Sequence, residues 1–233
     1  MLAAAGAAAT VATSRGDQTM AVYAAAHAPG TAAKPIVLIL SGEGGWRAFD
    51  DQLAGWLAAD GYWVGGIDCL KYFWKPQDDR DAAARDVKKF ADALLAASGS
   101  RKDSRVVLAG YSFGADLAPW LAGAPASTLP VAALLLIGPD RRGSSEARIG
   151  EILGLASKEH TFDTAAALAD SKAIPSLFVH GGKDESSAAP QLAASFGGRK
   201  ILTVVPGATH HFGGHENELK HAVLDGLRTL LSR

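Results

Sequence analysis

The sequence predicts one α/β domain with a mostly parallel sheet and helices on both faces. Two observations predict it. From Pro35 onward, short apolar runs alternate with longer segments of helical period, the pattern of a parallel sheet covered by helices. The chain has 233 residues, which suits a single domain of the larger α/β kind and leaves no need for a second one.

The apolar runs and the helical segments follow each other in a regular order. Strands are expected at residues 36–40, 62–67, 105–109, 131–137, 174–179 and 201–205. Helices are expected at residues 49–59, 78–97, 113–122, 187–196 and 216–231, with Gly61, Gly99 and Gly123 as stop signals. Residues 139–172 are polar, contain glycine and lack clear periodicity. We expect them to form a short insertion before the strand at 174–179, in the manner of a small lid over the site.

Residues 1–18 form an Ala-rich segment ahead of the main domain, which we assign to residues 19–233. The first fourteen residues are nearly all small or apolar, and no Lys or Arg precedes Arg15. A signal remnant, a frayed helix and a disordered tail all fit this composition, and the sequence does not choose among them.

Charge and cysteine content exclude several classes of function. The 23 basic and 24 acidic residues give a formal net charge of -1, without the positive field expected of a nucleic-acid binder. The single cysteine, Cys69, forms no internal disulfide and matches no zinc spacing. We interpret it as a small buried apolar residue.

The strongest motif is Gly-Tyr-Ser-Phe-Gly at residues 110–114, which directly follows a predicted strand and opens a predicted helix. Strand, GxSxG and helix in this order are typical of a nucleophile elbow, in which a strained turn exposes a serine hydroxyl. The flanking Gly110 and Gly114 are needed because a Cβ there would collide with the neighbouring strand and helix. The motif therefore predicts that Ser112 is a nucleophile.

A nucleophilic serine needs a base and a carboxylate farther along the chain, and both follow predicted strands. Asp184 comes after the strand at 174–179, and His210 lies between the last strand and the last helix. His211 is the reserve candidate for the base, and Glu185 the less favoured carboxylate. The order Ser, Asp, His is that of the α/β-hydrolase fold, which we therefore predict.

The histidines at 210, 211 and 215 also raise the question of a metal site. Gly213 and Gly214 argue against a helix that would align them, and no HExxH motif is present. We predict no metal, and the proposed mechanism needs no cofactor.

An oxyanion hole requires main-chain N–H groups aimed at the attacked carbonyl oxygen. The Gly-rich loop at residues 41–46 follows the strand at 36–40, and we expect Glu43 to supply one N–H and Phe113 the other. The loop matches neither GxxxxGK[ST] nor GxGxxG spacing, which argues against phosphate binding.

Four segments together resemble the bacterial virulence-associated VirJ/AcvB family. They are SGEGGW at 41–46, DCLKYFW at 68–74, GYSFGAD at 110–116 and HHF at 210–212. The resemblance covers roughly Pro35 to the C-terminus. It implies a periplasmic protein that hydrolyses aminoacyl-phosphatidylglycerol, chiefly the lysyl form. Such a substrate would be reached either by transient contact with a membrane surface or by extraction of single lipids, and the apolar content of the sequence does not choose between the two.

A lysyl group on such a substrate would be recognised by carboxylates and aromatic faces. The candidates are Glu43, Asp68, Asp116, Trp46, Tyr72 and Trp74. The alternative interpretation is that Asp116 caps or pairs locally and that the Tyr-Phe-Trp cluster packs in the core.

Two other functions stay open on the sequence. The same resemblance implies a non-catalytic partner of type IV secretion that binds secreted proteins, although such a protein would not need an intact triad. A general carboxylesterase or peptidase would use the same fold and the same three residues.

Overall fold

The computed structural model describes residues 7–26, 34–99, 104–147 and 159–232. The strands in these ranges are β1 (Ala8–Thr13), β2 (Gly16–Tyr23), β3 (Ile36–Leu40), β4 (Val64–Ile67), β5 (Val106–Tyr111), β6 (Val131–Ile137), β7 (Arg142–Ser144), β8 (Thr161–Asp163), β9 (Ser176–Gly181) and β10 (Lys200–Val205). Eight of them form the main sheet in the order β1-β2-β4-β3-β5-β6-β9-β10, and β7 pairs with β8 in a separate hairpin.

The six strands predicted from apolar runs are the six parallel strands of the sheet, from β4 to β10 in space. Their ends differ by up to two residues from the prediction. The largest functional consequence is at β5, which continues to Tyr111 and so ends directly before Ser112. The predicted fold class is therefore confirmed.

Helices cover both faces of this sheet, as predicted. They are α1 (Ala48–Ala59), α2 (Cys69–Tyr72), α3 (Arg80–Ser98), α4 (Phe113–Ala122), α5 (Thr164–Asp170), α6 (Ala189–Ser195) and α7 (Glu216–Leu231). The apolar side chains of α1 and α7 pack with one face of the strands, and those of α3 to α6 pack with the other. None of the helices in the described ranges has the length and apolar character needed to cross a membrane.

The N-terminal segment differs from the prediction, because Ala8–Thr13 is a strand rather than a helix or a tail. β1 and β2 form an antiparallel hairpin that adds to the sheet edge beside β4. The main-chain N–H and the hydroxyl of Ser14 donate to Asp86 on α3. Backbone pairing and this polar anchor hold a segment whose small side chains gave no strand pattern. The sheet thus begins before residue 19, and residues 1–6 lie outside the described part.

The insertion predicted at residues 139–172 contains the β7–β8 hairpin and α5, while residues 148–158 of it lie outside the described part. Its described residues pack against α4, where the Phe162 ring stacks on Trp120 with centroids 5.1 Å apart. The insertion precedes β9, as predicted, and its described portion lies against the α4 helix.

Candidate active site

Ser112 occupies a strained turn between β5 and α4, with φ of 52° and ψ of −119°. A Cβ at Gly110 would lie 2.1 Å from the carbonyl oxygen of Gly114, and a Cβ at Gly114 would lie 2.1 Å from that of Leu40. Each neighbour is main chain and cannot move aside easily. The two glycines are therefore required by the close approach of α4 to β5 and β3.

Three predicted side chains meet at the carboxyl ends of β5, β9 and β10. Ser112 Oγ lies 2.9 Å from His210 Nε2, and His210 Nδ1 lies 2.7 Å from Asp184 Oδ2. Because these strands are parallel, their following loops gather at one edge of the sheet. Residues far apart in the chain thus form one continuous line of hydrogen-bond contacts.

The carboxylate of Asp184 is buried and engaged at both oxygens. Oδ1 accepts the hydroxyl of Ser186 at 2.6 Å and the main-chain N–H groups of Ser186 and Ser187 at 3.1 Å. Burial alone would raise the pKa of Asp184, but the hydrogen bonds from Ser186 and His210 outweigh it, and the net pKa is lowered. The carboxylate is therefore held ionised. Sequence reasoning missed Ser186, although a serine two residues after an aspartate is a recognised turn signal.

His211, the reserve candidate for the base, points elsewhere. Its Nδ1 lies 3.0 Å from the hydroxyl oxygen of Tyr111, which also donates to the main-chain carbonyl of His210 at 3.2 Å. Glu185, the less favoured carboxylate, is exposed. The geometry therefore favours His210 and Asp184 over their neighbours.

Gly138, at the end of β6, also shapes the site and was not identified from the sequence. Its φ is +62°, and a Cβ there would lie 3.0 Å from His210 Cε1. A larger residue would push the imidazole away from Ser112. The only sequence signal was a glycine at the end of an apolar run.

The histidine cluster shows no arrangement for a metal. His215 lies beside Gly207, away from the contact between His210 and Ser112. Across the described ranges, no three His, Cys, Asp or Glu side chains are grouped as metal ligands. Cys69 is fully buried, and burial raises the pKa of its thiol, in agreement with the apolar interpretation.

A cavity of about 310 Å³ opens in front of Ser112. Its wall is formed by the Gly-rich loop, the start of α1 and the histidine loop; the lining residues are Gly42, Glu43, Gly44, Gly45, Arg47, Phe49, Asp50, Tyr111, Ser112, His210 and His211. Phe113 is the first residue of α4, where an N–H has no intrahelical acceptor. The two predicted oxyanion donors, Glu43 and Phe113, thus flank Ser112 on the loop and on the helix.

Two of the predicted substrate carboxylates serve local structure. Asp68 caps α2 by accepting the main-chain N–H of Lys71, and it forms an ion pair with the Lys71 side chain at 3.1 Å. Asp116 is buried in α4 and accepts the main-chain N–H of Asp140 at 2.8 Å. Burial raises the pKa of Asp116 well above its ordinary value, which disfavours a charged role.

The three predicted aromatic residues are also placed away from the cavity. Tyr72 is buried and donates its hydroxyl to Asp86 at 2.8 Å, whereas Trp74 is 58% exposed. The Trp46 indole covers Gly66 of β4 and donates to Asp51 at 2.6 Å. The described lining of the cavity does not include Trp46, Asp68, Tyr72, Trp74 or Asp116. The packing of α2 and β4, which sequence spacing does not reveal, turns Asp68, Tyr72 and Trp46 to other partners, and Asp116 is held inside α4 by its bond to Asp140.

A larger groove of about 900 Å³ adjoins the cavity, and Phe49 and His211 line both. Its other walls come mainly from α1 and α7, and include Tyr23, Trp56, Leu219 and Lys220. The groove contains aromatic and aliphatic surface together with the charged side chains of Asp51, Glu216 and Lys220. Sequence reasoning did not identify it, because its two helices are separated by most of the chain.

Comparison with known proteins relates most of the chain to one family. The family described as bacterial virulence protein (VirJ) matches residues 34–231. The chain belongs to the VirJ family. This confirms the family resemblance carried by the four sequence segments. No curated protein sequence matches this VirJ-family chain.

Solved structures share the fold of this VirJ-family chain at low sequence identity. Est1E from Butyrivibrio proteoclasticus is 14% identical with a TM-score of 0.68, covering 97% of this chain and 99% of that one. An α/β serine hydrolase without lid from Xanthomonas campestris is 21% identical with a TM-score of 0.64, covering 99% and 97%. A dienelactone hydrolase from Anabaena variabilis is 19% identical with a TM-score of 0.68, covering 96% of each. These similarities establish the α/β-hydrolase fold.

Proposed function

We propose that the chain is a serine hydrolase that cleaves the aminoacyl ester of a phospholipid of the lysyl-phosphatidylglycerol type. The observation that carries the proposal is the line of two contacts, 2.9 Å from Ser112 Oγ to His210 Nε2 and 2.7 Å from His210 Nδ1 to Asp184 Oδ2. A serine hydroxyl becomes a strong nucleophile when a positioned imidazole takes its proton. Ser112 is then the nucleophile, His210 the general base, and Asp184 the residue that orients the imidazole.

In the first half of the reaction, Ser112 Oγ attacks the ester carbonyl carbon while His210 Nε2 takes the hydroxyl proton. The N–H groups of Glu43 and Phe113 stabilise the oxyanion that develops. His210 then returns the proton to the departing glycerol oxygen as the ester C–O bond breaks. The aminoacyl group stays bound to Ser112 as an ester.

In the second half, His210 Nε2 takes a proton from water as the water oxygen attacks the acyl-enzyme carbonyl. The bond to Ser112 Oγ breaks, and the proton passes to that oxygen. A free amino acid leaves and the enzyme is restored. Asp184, ionised throughout because of its lowered pKa, stabilises the imidazolium formed in each half.

Three observations support an aminoacyl lipid as the substrate. The resemblance of the four sequence segments to the VirJ/AcvB family implies aminoacyl-phosphatidylglycerol hydrolysis, and the family match over residues 34–231 agrees with that resemblance. Two proteins that share this fold, a serine hydrolase and a dienelactone hydrolase, support ester hydrolysis as the reaction class. The two adjoining spaces fit the two parts of such a substrate, a small aminoacyl group in the cavity and a bulky leaving group in the groove.

Location and partners rest on the family resemblance alone. We place the protein in the periplasm, in transient contact with a membrane surface that presents the lipid. Binding of type IV secretion substrates is a separate proposal on the same ground, and a pull-down of secreted proteins with the purified chain tests it.

The test compares wild type with Ser112→Ala and with Ser195→Ala, a control on α6 whose hydroxyl bonds only the Leu192 carbonyl in the described structure. The substrates are lysyl- and alanyl-phosphatidylglycerol in detergent micelles, a short-chain acyl ester and a peptide. We expect wild type and Ser195→Ala to release amino acid from the lipids, and Ser112→Ala to be roughly 10³-fold slower or worse. A fluorophosphonate should label the first two proteins and spare Ser112→Ala.

The other outcomes point to other functions. Turnover of the short acyl ester alone would identify a general carboxylesterase. Binding of secreted proteins without turnover of any ester would support the non-catalytic role. Equal labelling of wild type and Ser112→Ala would remove Ser112 as the nucleophile.

A further inference from the structure

The side chain of Asp50 has an unusual environment for an acidic group at the start of a helix. It is the third residue of α1 and is 2% exposed. Its Oδ2 accepts the main-chain N–H of Arg47 at 2.9 Å. Its Oδ1 is buried and has no hydrogen-bond partner within the described part of the chain. A buried carboxylate oxygen without a donor is costly, so a missing partner is expected.

Helix capping accounts for only half of this carboxylate. The bond from Arg47 completes a capping box, which a neutral amide oxygen would complete equally well. The adjacent Asp51 already places a negative charge in the first turn of α1, where it complements the helix dipole. Neither role explains why the carboxylate of Asp50 is buried while its Oδ1 accepts no hydrogen bond from the described residues.

Asp50 lines the same cavity as Ser112, His210 and Glu43. In an aminoacyl ester, the α-amino nitrogen is two covalent bonds from the carbonyl carbon that Ser112 attacks. A group that binds this nitrogen must therefore face the same small cavity as the nucleophile. The ε-ammonium of a lysyl group lies several bonds farther out and does not have this constraint.

We infer that Asp50 is the specificity-determining residue that accepts the α-ammonium group of an aminoacyl ester through Oδ1. The inference rests on the proposed function, and it defines the substrate class as esters of α-amino acids with various side chains. Burial raises the pKa of Asp50 to about 6, and an ammonium group bound at Oδ1 would lower it again by stabilising the ionised form. Arg47, which also lines the cavity, is exposed, and its Nε donates to the Gly44 carbonyl at 2.7 Å.

The test uses two substrates that differ only in the amino group, alanyl-phosphatidylglycerol and its propionyl analogue, in identical micelles. Asp50→Asn keeps the volume and the capping acceptor but removes the charge. We expect it to lower kcat/KM for the alanyl ester by roughly tenfold to a hundredfold while changing that for the propionyl ester much less. Asp79→Asn, which removes a capping carboxylate from the start of another helix, α3, should leave the ratio of the two values unchanged.

The other possible results of this comparison separate the role of Asp50 from the proposed function. If wild type hydrolyses both esters in a Ser112-dependent manner and Asp50→Asn leaves their ratio unchanged, the inference is overturned and the proposed function stands. An equal loss on both esters would assign Asp50 to the architecture of α1 and also overturn it. If wild type hydrolyses neither ester, the proposed function itself fails.

Discussion

Ser186 donates its hydroxyl to Asp184 Oδ1 at 2.6 Å, on the carboxylate oxygen opposite to the one that faces His210. The main-chain N–H groups of Ser186 and Ser187 lie 3.1 Å from the same oxygen. These bonds fix the plane of the carboxylate and hence the tilt of the imidazole. Ser186 is therefore a positioning residue for the proposed base.

We expect Ser186→Ala to lower kcat by roughly threefold to tenfold, since one hydrogen bond to a charged group is lost and the imidazole is less well oriented. The pKa of Asp184 is lowered in the folded protein, so its stabilising effect is present above the ordinary carboxyl pKa and lost as pH falls through the lowered one. Ser186→Ala brings the folded pKa back toward the ordinary value. Acid unfolding should then begin at higher pH than in wild type, and Ser186→Thr should restore both properties. Identical kinetics and acid unfolding of Ser186→Ala and wild type would contradict this role.

The two adjacent histidines should differ sharply in kinetics. His210→Ala removes the group 2.9 Å from Ser112 Oγ and should lower kcat by about 10³-fold or more. His211→Ala removes a contact with the Tyr111 hydroxyl and should cost less than about tenfold. Steady-state rates of the two variants and wild type on one aminoacyl lipid show which histidine is the base. The reverse order would mean that the histidine loop is shifted by one residue.

Glycine-to-alanine changes at two positions should have opposite effects on stability. At Gly110 the added Cβ would meet the Gly114 carbonyl at 2.1 Å, so Gly110→Ala should destabilise the fold by several kcal/mol or prevent folding. At Gly55, inside α1, a Cβ would have no neighbour within 4 Å, and Gly55→Ala should stabilise by about 0.5–1 kcal/mol. Urea unfolding measures both. A stable, active Gly110→Ala protein would show that the elbow is less crowded than described.

The stability of Asp50→Asn should depend on pH relative to wild type. Burial raises the pKa of Asp50 to about 6, with repulsion from Asp51 and Asp68 adding to it and the Arg47 N–H bond opposing it. Because the folded pKa lies above the unfolded one, ionisation destabilises wild type as pH rises from about 4 to about 6. At pH 8 we expect Asp50→Asn to be more stable by about 1–3 kcal/mol, with the difference vanishing near pH 4. Denaturant titrations at the two pH values measure this. A constant difference between the proteins would indicate that Asp50 does not titrate in this range.

The sequence by itself determined the parallel core of the fold and the order of the principal site residues. Buried parallel strands need apolar runs, so β3, β5 and β6 were visible from residue type alone. The elbow was visible because its strain demands glycine on both sides of Ser112. His210 and Asp184 were found because the loops after parallel strands meet at one edge, whatever the details of packing.

The tertiary structure alone decided which side chains face the cavity. Asp68 and Tyr72 belong to a family-like segment, yet the packing of α2 turns them to Lys71 and Asp86. Asp50 was not identified from the sequence, and only the placement of α1 beside the histidine loop brings it to the cavity of Ser112. The periodicity and spacing of residue types in a sequence indicate how a residue lies within its own helix or strand. The wall of a cavity is made by contacts between elements distant in the chain, and these follow from how the elements pack.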